Sequence, residues 1–153
     1  MPPSRSTRKS EARRCTEAMR DLILAYRASM DDRLRGTGVT LPQVRMLKAI
    51  AQQSETSAAA IARLCHITPQ TLQSMLARAT REGWITRGVS EKNQRFVTAS
   101  LTSKGKAILQ HGLELAEEIE QETWRGISLD DMQAVCSTLE RALANLESEL
   151  ESE

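Results

Sequence analysis

The sequence predicts a mainly α fold with a small β wing, and three observations carry that prediction. A helix beginning at Thr68-Pro69 has both ends marked. Two strand-like runs, Trp84-Ile85-Thr86-Arg87 and Phe96-Val97-Thr98-Ala99-Ser100-Leu101, follow it around a polar loop. On either side the apolar residues recur every three or four positions, the period of amphipathic helices. Together they describe a winged helix-turn-helix flanked by long N- and C-terminal helices.

Residues 1–10 are rich in Pro, Ser, Arg and Lys, a composition expected to stay disordered as a basic tail. Residues 11–36 are expected to form one long N-terminal helix, because Cys15, Met19, Leu22, Tyr26, Met30 and Leu34 form a stripe long enough to pack against more than one neighbour. Thr40-x-x-Gln43 reads as a capping box that opens a second helix through about Gln52. The winged helix-turn-helix is assigned to 37–101.

Within it, Ala60-Ile61-Ala62-Arg63-Leu64 is a short apolar stretch that turns at Cys65-His66-Ile67. The recognition-type helix then spans 68–82. Thr68 is a good N-cap, Pro69 suits the first helical position, and Gly83 stands where a left-handed stop is expected. Leu72, Met75, Leu76 and Ala79 form its apolar stripe, while Gln70, Thr71, Gln73, Ser74 and Arg78 lie on the other side. Those polar residues suit an ordinary solvated face equally well. They also suit DNA: Gln pairs bidentately with adenine, hydroxyls reach several base edges, and Arg holds a phosphate or a guanine.

The hairpin decides between the two. Its wing, 87–96, carries Arg87, Lys92 and Arg95, and a cation on such a tip fits the narrow, negative minor groove. The net charge of +1 conceals a polarised chain: residues 61–109 hold eight Lys or Arg against two acids, and residues 110–153 hold twelve acids against two Arg. A positive field on the reading segment is the asymmetry expected of a face that meets phosphate.

These residues resemble the winged-helix core of MarR-type bacterial transcriptional regulators. The resemblance rests on Ile61-Ala62, Thr68-Pro69-Gln70-Thr71, Gly83-Trp84-Ile85 with Arg87, then Arg95 and the closing Leu101-Thr102-Ser103-Lys104-Gly105. Upstream, Val39-Thr40-Leu41-Pro42-Gln43 matches the start of the family's second helix, so the similarity covers roughly 10–150. It implies a dimeric DNA-binding regulator, typically a repressor, released by a small-molecule effector that binds between the dimer helices and the reading head. It also implies a helical dimerisation region built from the N- and C-terminal helices, with residues 11–36 as the N-terminal dimerisation helix. The family commonly places Asp where Asn93 stands; Asn accepts a hydrogen bond but supplies no charge to hold Arg95.

After the wing, residues 102–153 are expected to form C-terminal dimerisation helices, the first capped by Thr102 and the second starting near Ser128 with Asp130 and Asp131 in its first turn. Met132, Cys136, Leu139, Leu143, Leu146 and Leu150 form a nearly heptad-spaced seam, the kind that finds a partner helix. A two-fold dimer predicts a pseudo-palindromic operator with half-sites about one turn, ~34 Å, apart. Thr68, Gln70, Thr71, Gln73 and Ser74 are then the readers, with Arg78, Arg87, Lys92 and Arg95 on the backbone or in the minor groove.

No apolar run approaches the ~20 residues of a membrane span, and no secretory leader is apparent, so no membrane partner is expected. Cys15, Cys65 and Cys136 are three widely spaced cysteines, which fits free thiols in a reducing, cytoplasmic compartment. No metal-ligand spacing, paired carboxylates, activated nucleophile or phosphate loop occurs, so no cofactor, no metal and no enzyme activity are expected. Two alternatives compete with the effector-released repressor. Cys15, flanked by Arg13, Arg14 and Arg20, suits a thiol-based redox sensor, although its place on the apolar stripe suits a small buried hydrophobe better. The basic face also suits a winged-helix adaptor docking on an acidic protein, although such a surface more often exposes aromatics.

Overall fold

A computed structural model describes residues 5–52, 56–88 and 96–150, and the chain divides into two compact units, 1–119 and 120–153. Six helices and three strands occur among the described residues, in the order α1 (Arg5–Leu34), α2 (Leu41–Gln52), β1 (Thr56–Ser57), α3 (Ala58–Leu64), α4 (Pro69–Arg81), β2 (Ile85–Gly88), β3 (Phe96–Leu101), α5 (Ser103–Thr123) and α6 (Leu129–Leu150). The predicted class, helical with a small wing, is the observed one. No helix of the described residues is long and apolar enough to cross a membrane.

The first unit is built around the helix-turn-helix. Ser57 caps α3 by accepting from the Ala60 N–H, and Thr68 caps α4 by accepting from that of Thr71, with Pro69 just inside. Both helices end in the same way. His66 N–H donates to Arg63 O and Ile67 N–H to Ala62 O; Gly83 N–H donates to Thr80 O and Trp84 N–H to Ala79 O. These are Schellman closures, which need a left-handed residue one past the cap. Gly83 takes that role at φ 71 and His66 at φ 53, a left-handed conformation that few residues other than Gly adopt.

Leu72, Leu76 and Ala79 of α4 and Ile61 of α3 sit in one core with Met46 and Leu47 of α2 and Trp84, each 4% exposed or less. Gln43 is the one buried polar side chain among the described residues, and its side-chain carbonyl accepts from the Thr40 N–H at 3.0 Å, the Gln half of the expected capping box. α1 joins this core only near its end, through Met30 and Leu34, with Tyr26 half-buried.

The wing strands pair antiparallel, Ile85 with Leu101 through Gly88 with Thr98, and β3 also pairs with the short β1, giving the order β1-β3-β2. Sequence pattern did not reveal β1, because two residues carry no periodicity. The chain then closes on itself. The Thr102 hydroxyl donates to Gly83 O at 2.7 Å and accepts from the Gly105 N–H at 3.1 Å, while Lys104 Nζ donates to Glu82 O at 3.0 Å. A Cβ on Gly105 would collide with the Trp84 carbonyl oxygen. The closing Leu-Thr-x-x-Gly is thus a clasp that joins the end of α4 to the start of α5, and Gly is required by the close backbone approach.

α1 begins at Arg5, six residues before its expected start and inside the stretch read as a disordered tail. Nothing after Pro3 breaks a helix there, and exposed pairs Arg14–Glu11 and Arg13–Glu17 lie one turn apart along it. Cys15 is exposed rather than buried, and Leu22, Ile23 and Leu24 are 46–55% exposed. Of the α1 stripe, Cys15 and Leu22 are exposed, Met19 and Tyr26 are half-buried, and Met30 and Leu34 are buried.

In the second unit, α6 is capped by Ser128, whose hydroxyl accepts from the Asp131 N–H at 3.1 Å and donates to the Asp131 carboxylate at 2.6 Å. Asp130 and Asp131 occupy the first turn, as the helix dipole favours. The predicted seam is present as a face, and it is open: Leu139, Leu143 and Leu146 are 41, 56 and 67% exposed.

Candidate nucleic-acid interface

The cap at Thr68 and the core stripe of α4 fix which side of that helix faces outward. Gln70, Thr71, Gln73 and Ser74 are all exposed along its first two turns. Their hydroxyls are already ordered: the Thr71 and Thr68 hydroxyls are 2.8 Å apart, and the Ser74 hydroxyl donates to Gln70 O at 3.3 Å. Each oxygen keeps acceptor capacity after donating, and the two glutamine amides carry both donors and acceptors. This is a compact patch of polar groups on a capped, well-seated helix.

Arg87 lies exposed on β2 opposite Ala99 of β3. Lys92 and Arg95, together with Asn93, lie outside the described residues. Arg78 is the surprise of the predicted set. Its Nη2 donates to the Gly38 carbonyl at 2.9 Å and its guanidinium lies 5.8 Å from the Trp84 ring centroid, so the side chain turns away from the reading patch toward the loop between α1 and α2.

That loop borders a cavity of about 440 Å³ in the first unit, within the size range of small-molecule sites. Leu34, Val39, Trp84 and Ile108 supply apolar wall, and Arg78, Lys104, His111 and Glu82 supply polar groups. Sequence reasoning assigned none of these to a pocket. A signal was present in α5, where Lys104, Ile108 and His111 share a face separate from the core stripe of Gly105, Leu109 and Gly112.

Among the cysteines, Cys65 is buried and burial pushes its thiol up, with Arg45 opposing. The Glu140 carboxylate, 3.6 Å from the Cys136 sulfur, raises that exposed thiol. Around Cys15 the cations proposed to favour a thiolate are engaged elsewhere: Arg13 with Glu17, Arg14 with Glu11 and Arg20 with Asp21. That arrangement gives the redox alternative no added support.

The MarR family profile matches residues 37–95, the span from the α1–α2 loop to the wing. Over that segment the chain is similar to the MarR family. Within the MarR family, the HTH-type transcriptional repressor Rv2887 of Mycobacterium tuberculosis is 32% identical over 71 residues, covering 46% of this chain and 51% of that protein. The chain thus spans about half the length of the curated relatives it matches. Solved MarR-type structures share the fold. FabT of Streptococcus pneumoniae, solved in complex with DNA, superposes with a TM-score of 0.74 at 19% identity over 90% of this chain and 98% of that one. Rv2887 in complex with salicylic acid gives 0.65 at 22% identity over 82% and 93%.

Proposed function

We propose that this protein is a dimeric, sequence-specific DNA-binding transcriptional repressor of the MarR type, working in the cytoplasm and released from its operator by a small-molecule effector. The observation that carries the reading is the exposed patch Gln70, Thr71, Gln73 and Ser74 on a helix whose cap, core stripe and Schellman stop hold it rigidly. A rigid helix with short polar side chains at its N-terminal end is the form that enters a major groove.

In this reading Thr68 sets the start of the recognition helix, residues 70–74 contact base edges, and the wing with Arg87, Lys92 and Arg95 engages the backbone and the minor groove. Two copies join through the open apolar faces of the terminal helices, which gives two reading heads and a pseudo-palindromic site. The DNA complex of FabT and the salicylic acid complex of Rv2887 support the partner classes by analogy. The cavity beside Arg78 is the place we assign to the effector.

Selection of bound duplexes from a random pool tests the proposal. The expected product is an inverted repeat with half-sites about one helical turn apart. Recovery of sequences with no shared repeat, at an affinity no better than bulk DNA, would contradict it. An adaptor that docks on an acidic protein would instead bind no duplex with the steep salt dependence of phosphate contacts.

A further inference from the structure

The arginines of the first two helices fall into two groups. On and just after α1, Arg13, Arg14, Arg20, Arg33 and Arg35 each reach a carboxylate, on Glu17, Glu11, Asp21, Glu118 and Asp32. Arg27 of α1 and Arg45 of α2 make no hydrogen bond or ion pair among the described residues. Both line one small cavity beside the turn of the helix-turn-helix, together with Asp31 and His66. At about 200 Å³ it is smaller than the sites that take organic ligands, which run from ~300 to 1,000 Å³, so its size suits one compact charged group.

Three elements bring these groups together. Arg27 and Asp31 stand one turn apart on α1, Arg45 stands one turn into α2, and His66 is the left-handed residue between α3 and α4. Arg45 is half-buried, and its charge opposes the effect of burial on the thiol of Cys65, which also lines the cavity. His66 holds at φ 53 a conformation that Gly83 supplies at the end of α4, and as a side-chain-bearing residue it adds an imidazole to the cavity wall. The position matters for DNA. In a helix-turn-helix complex the second helix meets base edges with its N-terminal residues while the first crosses the backbone, so the turn between them passes close to phosphate.

We propose that Arg27, Arg45 and His66 form a site for one backbone phosphate of duplex DNA, beside the groove that the N-terminal end of α4 enters. A phosphate is compact and anionic and receives both arms of a guanidinium fork, which fits the size and the cations of the cavity. The site lies apart from residues 70–74 and from the wing, on α1, α2 and the turn, so it fixes the depth and register of α4 without reading bases. Asp31 is the opposing charge: its carboxylate lowers the positive field that a phosphate meets there. This inference rests on the DNA-binding reading and adds a contact that the reading does not contain.

The test uses the full chain, a duplex selected by it, and copies of that duplex in which one phosphate at a time is replaced by an uncharged methylphosphonate. For the wild type, one replacement beside each half-site should weaken binding by about tenfold. Arg27→Gln with Arg45→Gln should lose about tenfold in affinity per bound copy on selected and unrelated sequences alike, and the slope of log affinity against log salt should fall by about one per copy. In that variant the same replacement should cost less than about twofold further. Arg27→Lys with Arg45→Lys should recover most of the slope, because Lys still offers phosphate a point charge. His66→Gly should weaken binding by about threefold with no loss of melting temperature, since Gly suits the positive φ, and Asp31→Asn should tighten binding by about threefold. A double Gln variant with the wild-type salt slope, or one as sensitive as the wild type to every replacement, would overturn the site. If that variant unfolds, Asp31→Asn decides: tighter binding supports the site and unchanged binding overturns it. Failure of the wild type to bind duplex with any salt dependence would overturn the DNA-binding reading itself.

Discussion

In the winged segment Met46, Leu47, Ile61, Leu72 and Leu76 are 0–1% exposed, whereas on α6 Leu129, Leu143 and Leu146 are 65, 56 and 67% exposed. Both regions show apolar residues at helical spacing, and periodicity alone makes them look alike. The difference lies in closure. In the first unit the clasp at 102–105 and two Schellman turns lock α4 and α5 around a core that a single chain completes. The terminal helices leave much of their apolar surface exposed, at Leu22, Ile23 and Leu24 on α1 and at Leu139, Leu143 and Leu146 on α6. A reading head can be built by one copy; a complete set of buried faces, on the proposed account, takes two.

That contrast can be broken most severely at the open face. Leu139→Asp with Leu143→Asp adds charge to a seam that a partner helix would have to desolvate, so the dimer should dissociate. Sedimentation should report half the mass, duplex affinity should fall by roughly a hundredfold or more with the loss of the second head, and α4 should stay folded. An unchanged mass would remove these helices from the interface.

Within the closed region, Gly105→Ala should do the most damage. Its new methyl meets the Trp84 backbone carbonyl, which belongs to the clasp and has little room to retreat. A loss of about 1–3 kcal/mol is expected, read as a melting temperature lower by roughly 3–10 °C. Gly112→Ala meets the Val44 side-chain methyls at 2.6 Å, which can shift, so its cost should be smaller. A harmless Gly105→Ala would mean that the clasp is loose. Thr68→Ala removes the cap of α4 and should cost about 1 kcal/mol, together with a weaker duplex affinity.

The smallest effects concern the thiols. Alkylation at mildly alkaline pH should modify the exposed Cys15 and Cys136 and spare Cys65. Because burial raises Cys65, its neutral form favours the fold at all pH values below the range of a free thiol, and that contribution is lost as pH rises through the raised folded value. Cys65→Ala should accordingly flatten the decline in melting temperature at high pH. A Cys65 that reacts as fast as Cys15 in the native protein would show that the turn of the helix-turn-helix opens readily.

Much of this molecule was legible in its sequence for local reasons. The Thr68-Pro69 start and Gly83 stop of α4 act over a few residues, and so does the turn at Cys65-His66-Ile67. The same holds for the exposed set 70–74, which follows once the core stripe is known. What was not legible depends on distance along the chain. The turn of Arg78 toward Gly38 joins residues far apart in sequence, and an Arg on a recognition helix reads as a phosphate ligand until its partner is seen. The reason for Gly105 also lies elsewhere, in the backbone of Trp84. Cys15 shows the converse error: its place on a stripe predicts burial, but a stripe identifies an apolar face and not what covers it.

The central claim is that residues 70–74 choose the sequence while the wing and its flanking cations supply sequence-independent affinity. Measuring Kd for Gln73→Ala and Arg87→Ala on the selected duplex, on single-base variants of it and over a range of salt tests that division directly. Gln73→Ala should relax preference at one or two positions, by about 1–3 kcal/mol of lost discrimination, with the salt slope kept. Arg87→Ala should weaken all sequences alike and reduce the slope by about one. Two variants that lose affinity and slope in the same way, with no change in preference at any base, would contradict the account.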